Sequence, residues 1–275
     1  MKVKEYFNCI PHIIKQKRYL RSLEANPTKD KGTLVSLTSI PSRFHSLHLV
    51  IASLLNQDVV PCPIHLWLDS ESLSKLPKRI HELERLGLTI HECDDLRAYK
   101  KLVFAMEKFP DHNIITVDDD LLYPDYWLRH LLKGAADHPK SVSAYVCRNL
   151  SLKSSRELSP YKKSPRTKAS ASSPSHSHMA IGFAGVLYPA HVLHSDITNH
   201  KLFQEICPYN DDIWFKAMAL LNDSKHHQIP VEFGDEIYLP FTQKISLKKV
   251  NVRSGANETQ FKAVFDHYNL YGMLE

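Results

Sequence analysis

The chain has 275 residues, 43% hydrophobic and 24% charged, a balance that fits a globular protein with a sizeable core and excludes wholesale disorder. Its formal net charge of +5 is too small to indicate nucleic-acid binding, and the basic stretches lack the interleaved aromatic residues of a base-stacking surface. No stretch approaches the roughly 20 apolar residues that span a bilayer, and the N-terminus lacks the pattern of a secretory signal. We therefore expect a cytoplasmic protein with no nucleic-acid partner.

The cysteines are odd in number, widely spaced and never arranged as a CxxC pair. This spacing argues against a disulfide framework and against a thiolate zinc site. We expect reduced, mostly buried thiols that pack as small apolar side chains.

Residues 1–30 form a basic segment of their own. Lysines and arginines are interleaved there with isoleucines and aromatic residues, a pattern that predicts a helix. Such a helix either lies on an anionic membrane surface, which would make the inner membrane a peripheral partner, or packs on the rest of the chain. Pro11 is expected to break or kink the helix.

From residue 31 onwards, short apolar runs alternate with amphipathic stretches. Strands are predicted at residues 33–40, 64–68, 88–91 and 113–117, and helices at residues 48–55, 71–85 and 99–108. This alternation is typical of right-handed βαβ units. It predicts a single-domain, Rossmann-like α/β fold with a mixed, mainly parallel sheet flanked by helices.

The second half of the sequence is less regular. Helices are predicted at residues 127–134 and 211–221, and strands at residues 142–146 and 180–188. Residues 151–178 are rich in Ser, Lys and Pro and are predicted to form a long mobile loop. The main domain is expected to cover residues 31–240, followed by a polar, partly helical tail at residues 241–275.

Three consecutive aspartates, Asp118, Asp119 and Asp120, follow the fourth predicted strand directly. Ligands of open α/β sheets bind where the carboxyl ends of strands meet, and adjacent carboxylates repel one another unless a cation or hydrogen bonds compensate. Their oxygens suit Mg²⁺ or Mn²⁺, which also coordinate phosphates. A polar cap on the next helix is the alternative, but three aspartates after a buried strand favour a metal site.

The Ile-Ile-Thr-Val-Asp-Asp-Asp run resembles the DxD signature of GT-A-fold glycosyltransferases, and the likeness to bacterial surface-polysaccharide enzymes extends from about residue 33 to about residue 221. The resemblance implies transfer of a sugar, hexosyltransferase-type, from a nucleotide-sugar donor to a glycan or lipid-linked glycan acceptor. The expected donor is a UDP-sugar. Asp118 and Asp120 would bind Mn²⁺ or Mg²⁺ and the ribose, and Asp119 would touch the sugar. Which two of the three hold the metal stays open.

The same resemblance places further residues against the donor. The turn after the first strand would hold the base and ribose, the residues after the second and third strands would face the nucleotide, and basic residues would meet the phosphates. These expected donor-binding residues are Thr38, Ser39, Pro41, Arg43, Asp69, Asp95, Lys100 and Lys101. Ordinary surface charges are the alternative for the basic ones.

Asp211 and Asp212 resemble the acidic pair of inverting enzymes of this fold. One of them, with Asp212 preferred, would be the general base that takes the proton of the acceptor hydroxyl; helix capping is the alternative. Gly182 and Gly185 resemble a strand on the acceptor side, where glycine lets a sugar approach the backbone. A late histidine often completes the metal shell, but the candidates stand in no recognisable motif: His226, His227 and His267.

Other classes of protein fit less well. A sugar-phosphate nucleotidylyltransferase would need a glycine-rich loop after the first strand, and residues 38–43 contain no glycine. A P-loop kinase would need GxxxxGK[ST], which does not occur. A catalytically inactive nucleotide-sugar or glycan-binding scaffold of the same fold stays open, although a mere binder has no need of a positioned base.

Overall fold

A computed structural model of the chain describes residues 3–168, 173–242 and 255–274. The chain divides into two compact units, each assembled from three separate stretches. The first unit comprises Met1–Asp95, Lys100–His130 and Phe233–Ile245. The second unit comprises Leu96–Tyr99, Leu131–Glu232 and Ser246–Glu275.

Helices and short strands alternate along most of the described chain. The described helices are α1 (Val3–Ser22), α2 (Phe44–Leu55), α3 (Ser70–Ser74), α4 (Lys78–His81), α5 (Lys100–Lys108), α6 (Trp127–Asp137), α7 (His200–Ile206), α8 (Asp211–Leu221) and α9 (Ala256–Tyr268). The described strands are β1 (Thr33–Thr38), β2 (Ile64–Leu68), β3 (Leu88–Glu92), β4 (Asn113–Thr116), β5 (Leu121–Leu122), β6 (Ser141–Ala144), β7 (Cys147–Asn149), β8 (Leu152–Ser154), β9 (Glu157–Leu158), β10 (His178–Ala180), β11 (Val186–Tyr188), β12 (Lys225–Gln228) and β13 (Ile237–Tyr238). Short 3-10 turns, including Pro41–Arg43 and Gly182–Ala184, join several of these elements.

The first unit is built on four parallel strands in the order β4-β1-β2-β3. In the central strand β1, Val35 lies opposite Ile64 of β2 and Ile115 of β4. β2 is buried throughout and β1 is buried except at Thr38. Apart from His65 in β2 and the small hydroxyl residues of β1, the side chains of both strands are apolar, as expected of parallel strands that are buried on both faces. α2 follows β1 and buries most of its residues. The loops that follow β1, β2 and β4 therefore meet at one edge of the sheet.

The second unit contains a three-stranded sheet, in which β6 pairs antiparallel with β11 and parallel with β12. Its core helix is α8, where Trp214 and Phe215 are 0% and 1% exposed. The three strand pairs within the first unit's sheet are all parallel, and of the two within the second unit's sheet one is parallel and one antiparallel. The predicted α/β fold with a mixed, mainly parallel sheet flanked by helices is confirmed.

α1 continues as one helix through Pro11, so the predicted break at this residue is wrong. A proline inside a helix removes one backbone donor, and here tertiary contacts hold the remaining turns. Cys9 and Gln16 are buried, and the Tyr19 hydroxyl donates to the carbonyl of Leu55 in α2 at 2.8 Å. The helix thus packs on the first unit along one side. No described helix combines the length and the apolar character that crossing a bilayer requires.

Two predicted elements are interrupted. A single helix at residues 71–85 is wrong, because Pro77 adopts an extended conformation and separates α3 from α4. A single strand at residues 180–188 is also wrong, because a 3-10 turn divides it into β10 and β11. Gly185 ends this turn at φ +92°, a left-handed conformation that glycine adopts without steric cost.

The predicted mobile loop at residues 151–178 contains regular structure in its described part. β8 and β9 pair antiparallel as a short hairpin, and Ser164 is buried. Residues 169–172 lie outside the described residues, as do residues 243–254 of the predicted tail, whose described helix is α9. The mobility of the loop and the domain boundaries at residues 30 and 240 stay predictions.

Candidate active site

The aspartate triplet lies where β4 ends, at the carboxyl edge of the first unit's sheet. Val117 extends the strand by donating its N–H to the carbonyl of Ser36 in β1 at 3.1 Å. The chain then turns, and the N–H of Asp118 donates to the hydroxyl of Tyr123 at 2.8 Å. Tyr123 is only 2% exposed, so a buried phenol fixes the backbone at the start of the triplet.

Asp119 is the buried member of the triplet, at 4% exposure. The hydroxyl of Ser39 donates to its Oδ2 at 2.5 Å, and the guanidinium of Arg43 pairs with its Oδ1. Burial raises the pKa of this carboxyl, and the charge of Arg43 opposes the rise. Both oxygens of Asp119 are therefore engaged by the turn that follows β1.

Arg43 bridges two carboxylates of the triplet. A second terminal nitrogen of its guanidinium lies 3.1 Å from Oδ2 of Asp120, and the two side chains are only 15% and 11% exposed. Its Nε donates to the backbone carbonyl of Thr242 at 3.1 Å. Because a guanidinium presents its donors in a rigid fork, this one side chain ties together the turn after β1, the triplet and the segment around Thr242.

Asp118 is paired with Lys101, whose Nζ donates to Oδ1 of the aspartate at 2.9 Å. The Lys101 side chain is 6% exposed and that of Asp118 is 34% exposed, so Asp118 is the most accessible carboxylate of the triplet. The carbonyl of Lys101 accepts a hydrogen bond from the hydroxyl of Ser36. This bond anchors the first turn of α5 on β1.

A second ion-pair group surrounds Lys100, which is 2% exposed. Its Nζ donates to Oδ2 of Asp69 at 2.9 Å and to Oδ1 of Asp95 at 3.0 Å. Asp69 also caps α3 by accepting the N–H of Ser72 at 2.9 Å. Burial alone would raise the pKa of Asp69, but Ser72 and Lys100 lower it to about 2. Asp69 is therefore an anion at neutral pH.

Most of the predicted donor-binding residues thus fall into three bonded groups of the first unit. The groups are Ser39 with Arg43, Asp119 and Asp120; Lys101 with Asp118; and Lys100 with Asp69 and Asp95. Of the other two, Thr38 donates its hydroxyl to the carbonyl of Trp67 at 2.8 Å, which ties β1 to β2, and Pro41 begins the 3-10 turn. Binding of a ligand by any of these residues stays a prediction.

The fit of a metal can be judged from the donor atoms. Among the residues that the structure describes, no three His, Cys, Asp or Glu side chains are arranged to hold one ion. Asp118 and Asp120 each direct one oxygen to a protein cation. Mg²⁺ is commonly held by one or two carboxylates, with water and substrate phosphates completing the shell. Asp118 and Asp120 could therefore hold an ion only together with the phosphates of a donor, and a metal at this place stays a prediction.

The histidines considered as further metal ligands all lie in the second unit. His226 and His227 are each 1% exposed within β12, and the Nδ1 of His226 accepts the N–H of Ala180 at 3.0 Å. The ring of His267, near the end of α9, lies 4.6 Å from that of Tyr268. These contacts build the second unit, and a metal-binding role for any of the three stays untested.

The acidic pair opens α8 in the second unit. Asn210 is the N-cap, because its side-chain oxygen accepts the N–H of Ile213 at 3.3 Å. Capping by one of the two aspartates is therefore wrong, and both lie in the first turn, where the helix dipole favours negative charge. Oδ2 of Asp212 accepts the N–H of Gly182 at 3.3 Å, and Asp211 is 8% exposed.

Tyr161 interacts with the charge of Asp212, and no sequence pattern predicts this. Burial and the charge of Asp212 raise the pKa of Tyr161 to about 12. The Cζ of Arg148 lies 4.8 Å from the centre of the Tyr161 ring, and the Cζ of Arg166 lies 5.6 Å from that of Phe183. Composition alone gave no sign that the Ser/Lys/Pro-rich run would carry Tyr161 and Arg166 here, whereas Phe183 stands next to a glycine that the resemblance did single out.

Comparison with protein-family models found no match, and comparison with curated proteins found none. Solved structures that resemble the chain include crystal structures of residues 1–349 of S. aureus TarS. The complex with UDP-GlcNAc matches at 15% identity and a TM-score of 0.34, over 41% of this chain and 33% of that one. The complex with UDP matches at 15% identity and a TM-score of 0.45, over 75% and 59%. TarS alone matches at 14% identity and a TM-score of 0.43, over the same shares. The chain therefore spans between 33% and 59% of the TarS chains that it matches.

Proposed function

We propose that the chain is a GT-A-like glycosyltransferase that moves a sugar from a nucleotide-sugar donor to a glycan acceptor. The observation that supports it is the set of cations, Arg43, Lys100 and Lys101, bonded to carboxylates at the carboxyl edge of a parallel sheet. Ligands of open α/β sheets bind at this edge. Cations match a diphosphate, and carboxylates accept the hydroxyls of a ribose or a sugar.

In the proposed complex, Asp118, the most accessible carboxylate of the triplet, meets the donor first, with Lys101 behind it. Lys101 and Arg43 offset the charge of the diphosphate, and Asp119 keeps the Arg43 guanidinium in place. Mn²⁺ or Mg²⁺ held by Asp118 and Asp120 would, when bound, stabilise the charge of the departing diphosphate. Asp120 lies beside Arg43, so this carboxylate is held in one orientation before a ligand arrives.

For the transfer itself, we propose Asp212 as the general base, with Asp211 as the alternative. The oxygen of the acceptor hydroxyl bonds to the anomeric carbon, the bond from that carbon to the diphosphate breaks, and its electron pair leaves with the diphosphate. The hydroxyl proton passes to the Asp212 carboxylate. Attack from the side opposite the leaving group inverts the configuration. Asp212 lies in the first turn of α8, where its carboxylate also accepts the N–H of Gly182, so its orientation is fixed before an acceptor arrives.

The finer assignments come from the sequence resemblance. We propose a UDP-sugar donor, hexosyl transfer, and an acceptor that belongs to a bacterial surface polysaccharide such as capsule or lipopolysaccharide. A lipid-linked acceptor would place the protein at a membrane, and the outer side of α1 supports such a contact. Ile10 and Ile14 are 37% and 44% exposed there, and the helical spacing puts Lys17 and Arg21 on the same side.

A thermal-shift panel tests the donor. The panel contains nucleoside diphosphates and sugar nucleotides, among them UDP and UDP-GlcNAc, each with and without Mn²⁺. A ligand that binds only the folded state raises the melting temperature, so we expect one nucleoside diphosphate and its sugar nucleotide to stabilise the chain. In Asp120→Ala, the part of the shift that depends on Mn²⁺ should be lost. A panel without any shift would contradict the proposal.

The alternative function is an inactive nucleotide-sugar or glycan-binding scaffold. Turnover of a ligand found in the panel distinguishes this scaffold from an enzyme. A sugar nucleotide that stabilises the chain is incubated with Mn²⁺, and release of the nucleoside diphosphate is followed. Release supports the transferase. Binding without release, also in the presence of glycan acceptors, supports the scaffold.

A further inference from the structure

The segment at residues 237–242, called the strap here, runs beside the aspartate triplet within the first unit. β13 pairs antiparallel with β5, so Tyr238 lies opposite Leu121. The N–H of Leu239 donates to the backbone carbonyl of Asp120 at 2.8 Å. The strap is therefore part of the triplet's immediate surroundings.

The strap is fixed on both sides of Phe241. The carbonyl of Pro240 lies 3.1 Å from Nε2 of His45, and the carbonyl of Thr242 accepts from Nε of Arg43 at 3.1 Å. The Thr242 hydroxyl donates to the carbonyl of Leu239 at 2.8 Å. The strap is thus attached to the residues that the proposed donor site uses, and the backbone of Phe241 is set by bonds of its neighbours.

Phe241 itself combines two features that do not favour folding. Its φ is +66°, a left-handed conformation that is a true outlier for a bulky residue. The residue is 61% exposed, the highest value among the exposed large hydrophobic residues that the structure describes. A glycine at this position would remove the backbone strain. Strained residues of this kind cluster at ligand clamps, where the surrounding structure enforces them.

We infer that Phe241 is a ring-stacking residue of the proposed donor site, where it packs its face against a ring of the bound nucleotide sugar. The nucleobase and the sugar ring both offer a flat, partly apolar face, and aromatic side chains bind such faces by stacking. Stacking would bury further apolar surface of this exposed residue. The inference rests on the proposed function, because it takes the cluster beside the strap as the place where the donor binds.

The test compares the dissociation constants of the full chain for UDP and UDP-GlcNAc, or for whichever nucleoside diphosphate and sugar nucleotide the wild type binds, by isothermal titration calorimetry. Phe241→Gly removes both the ring and the strain. We expect it to weaken binding by about fivefold to a hundredfold, the range of one stacked base, and to raise the melting temperature of the free protein. Phe241→Trp keeps a ring and should bind as the wild type does. Val60→Ala, at another exposed apolar residue of the first unit, is the matched control and should leave binding unchanged.

The results show whether the nucleobase or the sugar is the stacked ring, and they test the role of Phe241 separately from the proposed function. Equal weakening for the diphosphate and the sugar nucleotide identifies the nucleobase as the stacked ring, whereas weakening for the sugar nucleotide alone identifies the sugar. Wild-type affinity of Phe241→Gly for both ligands overturns the inference and leaves the proposed function standing. A wild type that binds no nucleotide of the panel overturns both.

Discussion

Arg43 is the residue on which the geometry of the triplet depends most directly. One guanidinium contacts Asp119, Asp120 and the carbonyl of Thr242, and its side chain is 15% exposed. Removing one partner of a buried ion pair leaves the other charge uncompensated, and the cost is about 3–5 kcal/mol. We therefore expect Arg43→Met to lower the free energy of unfolding by that amount, measured by urea denaturation at pH 7.

The loss in Arg43→Met should become smaller as the pH falls from 7 towards 4. Burial already raises the pKa of Asp119, and without Arg43 this carboxyl can be accommodated by taking up a proton. Lys75→Met is the matched control, because it breaks an exposed pair with Glu71 in which the two side chains are 51% and 81% exposed; it should cost at most about 0.5 kcal/mol. Equal losses in the two variants would contradict the buried-pair argument.

Asp212 allows a prediction about turnover. Asp212→Asn keeps the volume of the side chain and an oxygen that can accept the Gly182 N–H, so folding and donor binding should be unchanged. An amide cannot take up the acceptor proton, and general-base catalysis contributes about 10²–10⁴-fold. We expect the rate of nucleoside diphosphate release in the presence of acceptor to fall by about that factor.

Asp211→Asn is the control for Asp212→Asn, because it changes the neighbouring residue of the same helical turn. It should retain most of the turnover while donor affinity, measured by calorimetry, is the same in both variants. If Asp211→Asn loses turnover and Asp212→Asn keeps it, the base is Asp211.

At the scale of elements, the exposed side of α1 allows a prediction about binding to anionic membranes. One side of the helix is covered by the first unit, and the other carries Ile10, Ile14, Lys17 and Arg21. Each lysine or arginine near an anionic membrane contributes about 1 kcal/mol. Lys17→Glu should therefore weaken binding to phosphatidylglycerol-containing vesicles by at least about fivefold in a sedimentation assay. Lys75→Glu, in the turn after α3, should not weaken binding, and neutral phosphatidylcholine vesicles should bind no variant.

The elements show what local sequence pattern can predict and where it stops. The bounds of β2 and α8 were predicted to the residue, because a continuous apolar run and a polar cap followed by an amphipathic stretch are local signals. The predicted helix at residues 71–85 is wrong at Pro77, where the missing backbone donor and the extended conformation outweigh the helical periodicity of the charged residues. The strand at residues 180–188 failed because the 3-10 turn at Gly182–Ala184 interrupts it.

The stability of the whole molecule is expected to depend on pH through Lys216 in α8. This lysine is 0% exposed, its Nζ has no hydrogen-bond partner within the described structure, and burial lowers its pKa from 10.5 to about 7. Between about pH 7 and pH 10.5, Lys216 is therefore protonated in the unfolded chain but not in the folded chain. Stability falls as the pH drops from about 10.5 to about 7 and is level, with respect to this group, below that.

Lys216→Met removes this dependence while keeping the length of the side chain. We expect it to raise the free energy of unfolding by about 1–3 kcal/mol at pH 7, and the gain should shrink as the pH rises to 10. The measurement is urea denaturation at several pH values. Met218→Leu, a volume-conserving change at a buried residue of the same helix, should leave the pH slope at its wild-type value, and an unchanged slope in Lys216→Met would refute the argument.

The candidate site was predictable only in part, because some of its contacts join residues that are far apart in the sequence. The position of Asp118–Asp120 after an apolar strand is a local pattern, and it indicated the edge of the sheet correctly. The bond between Arg43 and Thr242 joins residues 199 positions apart, and the strap carries no motif that connects it with the triplet. Contacts of such separation leave no periodicity in one sequence, so Thr242 and Phe241 could be found only in three dimensions.

The construction of the first unit from three stretches has a consequence for biosynthesis. Its last stretch begins at Phe233, so the carbonyl of Thr242 reaches Arg43 only after more than 240 residues have left the ribosome. At a typical elongation rate of about 5–20 residues per second, the turn with Arg43 waits on the order of ten seconds or more for this partner. During that time its guanidinium and the buried aspartates lack one of their ties, and a nascent chain stalled before the strap would expose the edge of the sheet to solvent and to chaperones.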